Sequence, residues 1–208
     1  MRFPSTTPRD AHHTSPANSL PPLARVNVVG ASGSGKTTFS RQLAAVLGVP
    51  YIQLDQVFWE PNWTEPPDSR FFPRVEQVLS GERWVLDGNY HRTAPIKWPR
   101  TTTVIWLDYQ LWRVLFQVTR RSLVRALKSE ELWPQTGNRE SLRRLFSRQS
   151  IVLYSYRTHP SHRVRYEREQ VELSWPHLHF VRLRSPREAR AFVRAAEQYV
   201  SALKRRLG

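Results

Sequence analysis

Residues 30–38 read Gly30-Ala31-Ser32-Gly33-Ser34-Gly35-Lys36-Thr37-Thr38, and they fit G-x-x-x-x-G-K-[ST]. A phosphate chain carries dense negative charge. A loop of this kind meets it with converging backbone N–H groups, which requires Gly wherever a Cβ would block the approach. The helix that starts behind the loop adds a favourable dipole. The flanks agree. Ala24–Gly30 (ARVNVVG) is a short β-branched run that ends in Gly, and Gly35–Gly48 places Phe39, Leu43, Val46 and Leu47 on one helical face. All nine residues are expected to bind ATP. Lys36 would reach the β- and γ-phosphates, and the Thr37 hydroxyl would ligate Mg²⁺. A Gly-rich turn with no ligand is the plain alternative.

Outward from this loop, strands alternate with helices. Tyr51–Asp55 reads as a second strand, Pro61–Pro67 as a loop, and Asp68–Leu79 as a helix with Phe71, Phe72, Val75, Val78 and Leu79 inward. Trp84–Asp87 and Thr102–Asp108 read as the third and fourth strands, each ending in Asp. A long helix is expected from Leu111 to about Leu127, a break over Glu130–Gly137, and another helix over Arg139–Tyr156. His179–Leu183 is the fifth strand, and Pro186 begins a last helix with Ser185 as its cap, running to about Arg206. This alternation predicts a parallel sheet covered on both faces. Residues 1–23 hold five of the 16 Pro and show no period, so they read as a disordered leader before a single domain at 24–208.

Composition narrows the class. The chain of 208 residues has no Cys, which excludes a disulfide scaffold, a thiolate metal site and a cysteine nucleophile. No stretch approaches ~18 consecutive apolar residues, so no membrane partner is expected. The absence of Cys fits a reducing compartment, and a cytoplasmic protein is expected. Lys plus Arg number 32 against 17 Asp plus Glu, a net charge of +15. Residues 1–109 carry 11 basic and 9 acidic side chains, residues 110–170 carry 13 and 5, and residues 171–208 carry 8 and 3. The excess therefore sits in the second half and is nearly all Arg, whose fork matches phosphate oxygens. It reads either as a nonspecific grip on nucleic acid or as a site for small phosphorylated ligands. No N-K-x-D or following D-x-x-G is present, which argues against a GTPase switch protein. The chain after the loop has the length of a small kinase.

Three further segments stand out: Leu54-Asp55-x-x-Phe58-Trp59-x-Pro61-Asn62-Trp63, Trp84-Val85-Leu86-Asp87-Gly88-Asn89-Tyr90, and Gly137-Asn138-Arg139-Glu140. Together with the phosphate loop they resemble the P-loop kinase-like family of DNA topology modulation (FlaR-related) and adenylate-kinase-like proteins, over about residues 24–185. The resemblance implies an α/β, three-layer nucleoside-monophosphate-kinase-like fold. It implies a five-stranded parallel sheet of order 2-3-1-4-5 with a small helical lid insert at about 120–148. Asp87-Gly88 also resembles the D-G of the adenylate kinase DGFPR segment, with Arg92 displaced from the place of its Arg.

Each candidate residue has a bland alternative. Asp87 ends a strand beside the phosphate loop, where a carboxylate can hold a Mg²⁺-bound water; a D-G turn explains it as well. Asp108 is the competing carboxylate. Asp55, at the mouth of the site, suits a proton acceptor for a hydroxyl or a ribose or base ligand, or else a strand-end turn. Phe58, Trp59 and Trp63 suit base stacking or packing over the core. The lid of the resembling proteins closes Arg side chains over the phosphates, which implies Arg121, Arg139 and Arg143 as catalytic residues. Arg120, Arg125 and Arg144 are their neighbours. The expected function is Mg²⁺-assisted transfer of the ATP γ-phosphate to a small acceptor, in the nucleoside and nucleotide kinase class. The alternative is a nucleic-acid-associated ATP-binding protein that grips DNA or RNA through its basic half.

Overall fold

The computed structural model describes residues 20–128, 131–133, 136–138, 150–171 and 175–207. Five strands form one parallel sheet: β1 (Arg25–Gly30), β2 (Tyr51–Gln53), β3 (Trp84–Asp87), β4 (Thr103–Leu107) and β5 (His179–Leu183), in the order β2-β3-β1-β4-β5. Every neighbouring pair is parallel, with Val28 opposite Asp87, Gly30 opposite Leu107, and Leu107 opposite Leu183. The three central strands are buried along nearly their whole length, as a sheet covered on both faces requires. Seven helices accompany the strands among the described residues: α1 (Lys36–Leu47), α2 (Leu54–Phe58), α3 (Asp68–Val78), α4 (Ala94–Lys97), α5 (Leu111–Lys128), α6 (Ile151–Val171) and α7 (Pro186–Leu207).

Strand alternation divides the core. Val26 and Val28 of β1 face one layer with Phe39, Leu43 and Leu47 of α1 and Ala189, Phe192 and Ala196 of α7. Val29 faces the other layer with Ala94, Trp98, Val104, Trp106 and Tyr166. A third cluster seats α2 and α3 against β3 through Leu54, Phe58, Phe71, Val75, Leu79, Trp84 and Leu86. Ser185 caps α7 reciprocally with Glu188: the Glu188 N–H donates to Ser185 Oγ at 3.2 Å and Ser185 Oγ–H to Glu188 Oε1 at 2.9 Å.

Four expectations are corrected. Strand β2 ends at Gln53, because its last pairing is with Asp87; Leu54 then opens α2, in which Leu54 and Phe58, one turn apart, are both buried. The helix expected to stop at Tyr156 runs on to Val171, through Pro160. Of the residues expected inward on α3 and at its end, Phe71, Val75 and Leu79 are buried and Phe72 packs half-buried against them, while Val78 is exposed. The end of the supposed leader packs on the domain: Leu23 joins the core, and Thr102 and Thr103 donate to the Pro22 carbonyl at 3.0 and 2.6 Å. Residues 1–19 and 139–149, which include Arg139, Glu140, Arg143 and Arg144, lie outside the described residues. Residues 120–128, assigned above to the lid, are the last turns of α5.

Candidate active site

The phosphate loop connects the end of β1 to α1, whose first turn opens at Gly35 in a left-handed conformation. Gly33, at φ +91°, shows why a Cβ is excluded: one would lie 2.8 Å from the Val114 carbonyl and 2.8 Å from Val118 Cβ on α5. The Lys36 ammonium donates to the loop's own carbonyls, Gly30 O at 2.9 Å and Ala31 O at 3.0 Å. Burial lowers its pKa, Asp87 and Asp55 support its charge, and Arg121 opposes it.

The neighbouring strand supplies the carboxylate. Thr37 Oγ1 donates to Asp87 Oδ2 at 2.7 Å, and the Tyr51 hydroxyl donates to the same oxygen at 3.2 Å. A hydroxyl and a carboxylate side by side at the phosphate loop form the hard oxygen set that suits Mg²⁺, which usually keeps waters and one or two protein oxygens. Asp108 is occupied otherwise. Arg182 Nε and Nη2 both donate to its Oδ2, at 2.9 and 2.6 Å, and Arg163 lies 3.6 Å away. Asp108→Asn is therefore expected to lower stability by about 1–3 kcal/mol and to leave the Mg²⁺ requirement unchanged. Asp87→Asn is expected to raise the Mg²⁺ concentration needed for turnover while ATP binding is partly kept. A Mg²⁺ titration of activity in the two variants checks the choice, and the reverse pattern would move the metal to Asp108.

Asn89 ties this region together, and sequence reasoning quoted it without a role. Its Oδ1 accepts the Gly30 N–H at 2.9 Å, and its Nδ2 donates to the Gly30 carbonyl at 2.8 Å, so one side chain holds both polar groups of the loop's first residue. Behind it, the buried Asn27 amide donates to the carbonyls of Leu86 and Gly88, and its Oδ1 accepts the Trp98 indole N–H at 3.2 Å. A Cβ on Gly88, at φ +154°, would meet Leu54 Cβ at 2.6 Å.

Across the cleft from the loop, the Tyr90 hydroxyl donates to Asp55 Oδ1 at 2.7 Å. Burial raises the Asp55 pKa; the Tyr90 hydrogen bond works against the shift, and Asp87 adds to it. The cleft encloses about 770 Å³ and also receives Arg92, Arg121, Arg125, Arg157, Arg165 and His162. Arg121, of the three lid arginines expected, is the one within the described residues, and its Nη2 reaches Ser32 Oγ at 3.4 Å. Arg92 lies over the Phe58 and Phe71 rings and pairs with Asp68 at 3.1 Å. Arg157, His162 and Arg165 come from α6. Burial, with Lys36 and Arg165 nearby, holds the His162 pKa down to about 4. Sequence reasoning missed these three residues; the Arg/His spacing at 157, 162 and 165 was the available signal, once the helix is known to continue past Pro160.

The aromatic residues pack on one another at the cleft wall. Trp59 and Trp133 stack with centroids 6.1 Å apart and planes at 16°, and Trp63 meets both rings edge-on at 5.5 Å. The Gly137-Asn138 segment fastens this wall: the Trp63 N–H donates to Asn138 Oδ1 at 2.8 Å, and Asn138 Nδ2 donates to the Glu60 carbonyl at 3.0 Å. His177 Nε2 meets the Trp98 carbonyl at 3.0 Å. No described helix is long and apolar enough to cross a membrane.

No family model and no curated protein sequence matches the chain. Solved structures do. A shikimate kinase from Acinetobacter baumannii in complex with shikimate is 19% identical with a TM-score of 0.52, over 88% of this chain and 95% of that one. A gluconokinase from Sinorhizobium meliloti is 15% identical (TM-score 0.45, 89% and 95% covered), and a shikimate kinase from Bacteroides thetaiotaomicron 13% (0.44, 86% and 98%). The likeness to the Acinetobacter structure, with the strand order and the loop, gives the chain the P-loop kinase fold.

Proposed function

We propose that the protein is a Mg²⁺-dependent phosphotransferase that moves the ATP γ-phosphoryl group to a hydroxyl of a small acceptor. The observation that carries this reading is the convergence of Lys36, the Thr37–Asp87 pair and Asp55 on one cleft. ATP lies on residues 30–38. The acceptor lies between Asp55, the Trp59–Trp63 segment and the loop from Asp87 to Arg92. Bound Mg²⁺, held through Thr37 and Asp87, supplies charge stabilisation on the phosphate oxygens.

The chain's own groups supply the rest. Lys36, now on the loop's carbonyls, turns to the phosphate oxygens. Asp55 takes the proton of the acceptor hydroxyl as its oxygen bonds to the γ-phosphorus, and the bond to the bridging oxygen breaks to release ADP. A buried carboxylate of raised pKa is the better proton acceptor for this. Arg121 adds positive charge beside Ser32, where charge on the equatorial oxygens is stabilised. Positioning supplies most of the rate. The guanidiniums of Arg92, Arg157 and Arg165 on the cleft wall fit an acceptor that bears a negative group. A nucleotide meets that requirement, and the aromatic wall suits its base. The basic half thus points arginines into the cleft, which favours this reading over a grip on nucleic acid.

The test is a screen of nucleosides, nucleotides and small hydroxy compounds for acceptor-dependent ADP release. One acceptor class is expected to stimulate release well above the ATP-only rate. Arg121→Ala is expected to lower the stimulated rate by about 10³-fold, the size seen for an arginine finger. Stimulation by no acceptor, together with submicromolar nucleic-acid binding that Arg121→Ala abolishes at physiological salt, would establish the alternative.

A further inference from the structure

Lys97 ends α4, and its side chain is fully buried. An ammonium is costly to bury unless it is well paired. Among the described residues no carboxylate forms an ion pair with it. Glu169 of α6 acts on it at longer range and is itself engaged by His91 at 2.8 Å. Burial accordingly holds the Lys97 pKa down to about 7. Its direct partners are main-chain oxygens: Nζ donates to the Gly88 carbonyl at 3.4 Å and to the Asn89 carbonyl. Gly88 O has a second donor in Asn27 Nδ2 at 3.2 Å. The face of Trp98 lies 6.0 Å away.

The residue so held is the one that clamps the phosphate loop. Asn89 takes the N–H and the carbonyl of Gly30 with one amide, and the Tyr166 hydroxyl donates to the same Oδ1 at 3.2 Å. The Gly30 carbonyl is also one of the two oxygens that hold Lys36. A continuous series of hydrogen bonds therefore runs from Lys97 through the Asn89 main chain and side chain to Gly30 and Lys36.

Resting on the ATP-binding reading given above, we propose that Lys97 is a positioning residue: its Nζ fixes the main chain at Asn89, so that the Asn89 amide clamps the Gly30 peptide and sets the phosphate loop to receive ATP. A fully buried amine without an ion-pair partner, held on the carbonyls behind a ligand loop, is a stability cost that this role explains.

The experiment is calorimetric Mg-ATP affinity on the full chain for wild type, Lys97→Met, Asn89→Ala and the double variant. Met nearly matches the volume of Lys and donates nothing. Each single change is expected to weaken binding about tenfold, the upper size of one lost hydrogen bond. The double variant is expected to be no weaker than about the Asn89→Ala variant, because Lys97 acts through Asn89. A purely structural Lys97 would give multiplying losses that follow the melting temperature. Multiplying losses, or unchanged affinity in a folded Lys97→Met variant, overturn the proposal. If Lys97→Met does not fold, Lys97→Gln, which keeps a donor but shortens its reach, takes its place in the same cycle. Wild type that binds no Mg-ATP overturns the functional reading and this proposal with it. Wild type that binds Mg-ATP but shows no acceptor-dependent ADP release overturns the kinase reading alone, and the affinity cycle still decides the role of Lys97.

Discussion

Lys36→Ala is expected to reduce ATP turnover by at least about 10²–10³-fold, as when a preorganised donor to developing charge is removed, with a melting temperature close to wild type. The two effects separate because of where the ammonium sits. Its hydrogen bonds go to the Gly30 and Ala31 carbonyls, and both have another donor: Asn89 Nδ2 at 2.8 Å and the Ser34 N–H at 3.1 Å. Removing the ammonium leaves neither carbonyl orphaned. Burial also lowers the Lys36 pKa, so the folded state gains nothing from holding its charge. What is lost is the cation that answers the phosphates. A coupled ADP-release assay beside a thermal melt checks both halves. Near-normal turnover in well-folded Lys36→Ala protein would sink the assignment of the phosphate loop.

Asp55→Asn is expected to lower acceptor-dependent turnover by about 10²–10⁴-fold, the usual contribution of a general base, without loss of stability at neutral pH. Its folded pKa lies above the ordinary Asp range because burial disfavours the carboxylate. The folded state therefore binds this proton more tightly than the unfolded one. The stability this group contributes is present at acid pH and is lost as pH rises through its folded pKa. Whenever it is ionised the buried side chain is a liability that Asn removes, and the Asn carbonyl oxygen still accepts from Tyr90. The same shift sets the pH profile. Wild-type kcat/KM is expected to fall on the acid side at a pH above the ordinary Asp range, and the residual activity of Asp55→Asn should lack that limb. Equal profiles and rates in the two proteins would make Asp55 a turn residue.

Local chemistry explains what could be read before any contact was known. Glycines at 30, 33 and 35 followed by Lys36 and Thr37 mark a phosphate loop, because a loop must shed Cβ atoms to bring N–H groups together. β1, β3 and β4 are visible as short apolar runs because a sheet covered on both faces buries successive residues, and α1 because it buries Phe39, Leu43 and Leu47 at helical spacing. Strand order belonged to a resemblance rather than to a period, and the sheet has that order.

Asp87 and Asp108 both end apolar strands, so strand pattern did not separate them, and only the resemblance of Asp87-Gly88 favoured Asp87. Their neighbours set them apart: β3 lies beside β1 and brings Asp87 to Thr37, whereas β5 lies beside β4 and brings Arg182 to Asp108. The length of α6 was hidden for a related reason. Its inward side carries Ser155, His162, Tyr166 and Glu169, polar groups whose burial is supported by the cleft and by β4 rather than by an apolar stripe. Asn89 and Lys97 are the clearest instances. An Asn and a Lys eight residues apart look like ordinary solvent-facing residues in a chain of letters. The fold brings them together: Lys97 is buried against the Asn89 carbonyl, the half-buried Asn89 amide meets Gly30, and polar groups that lose water must bond the partners within their reach.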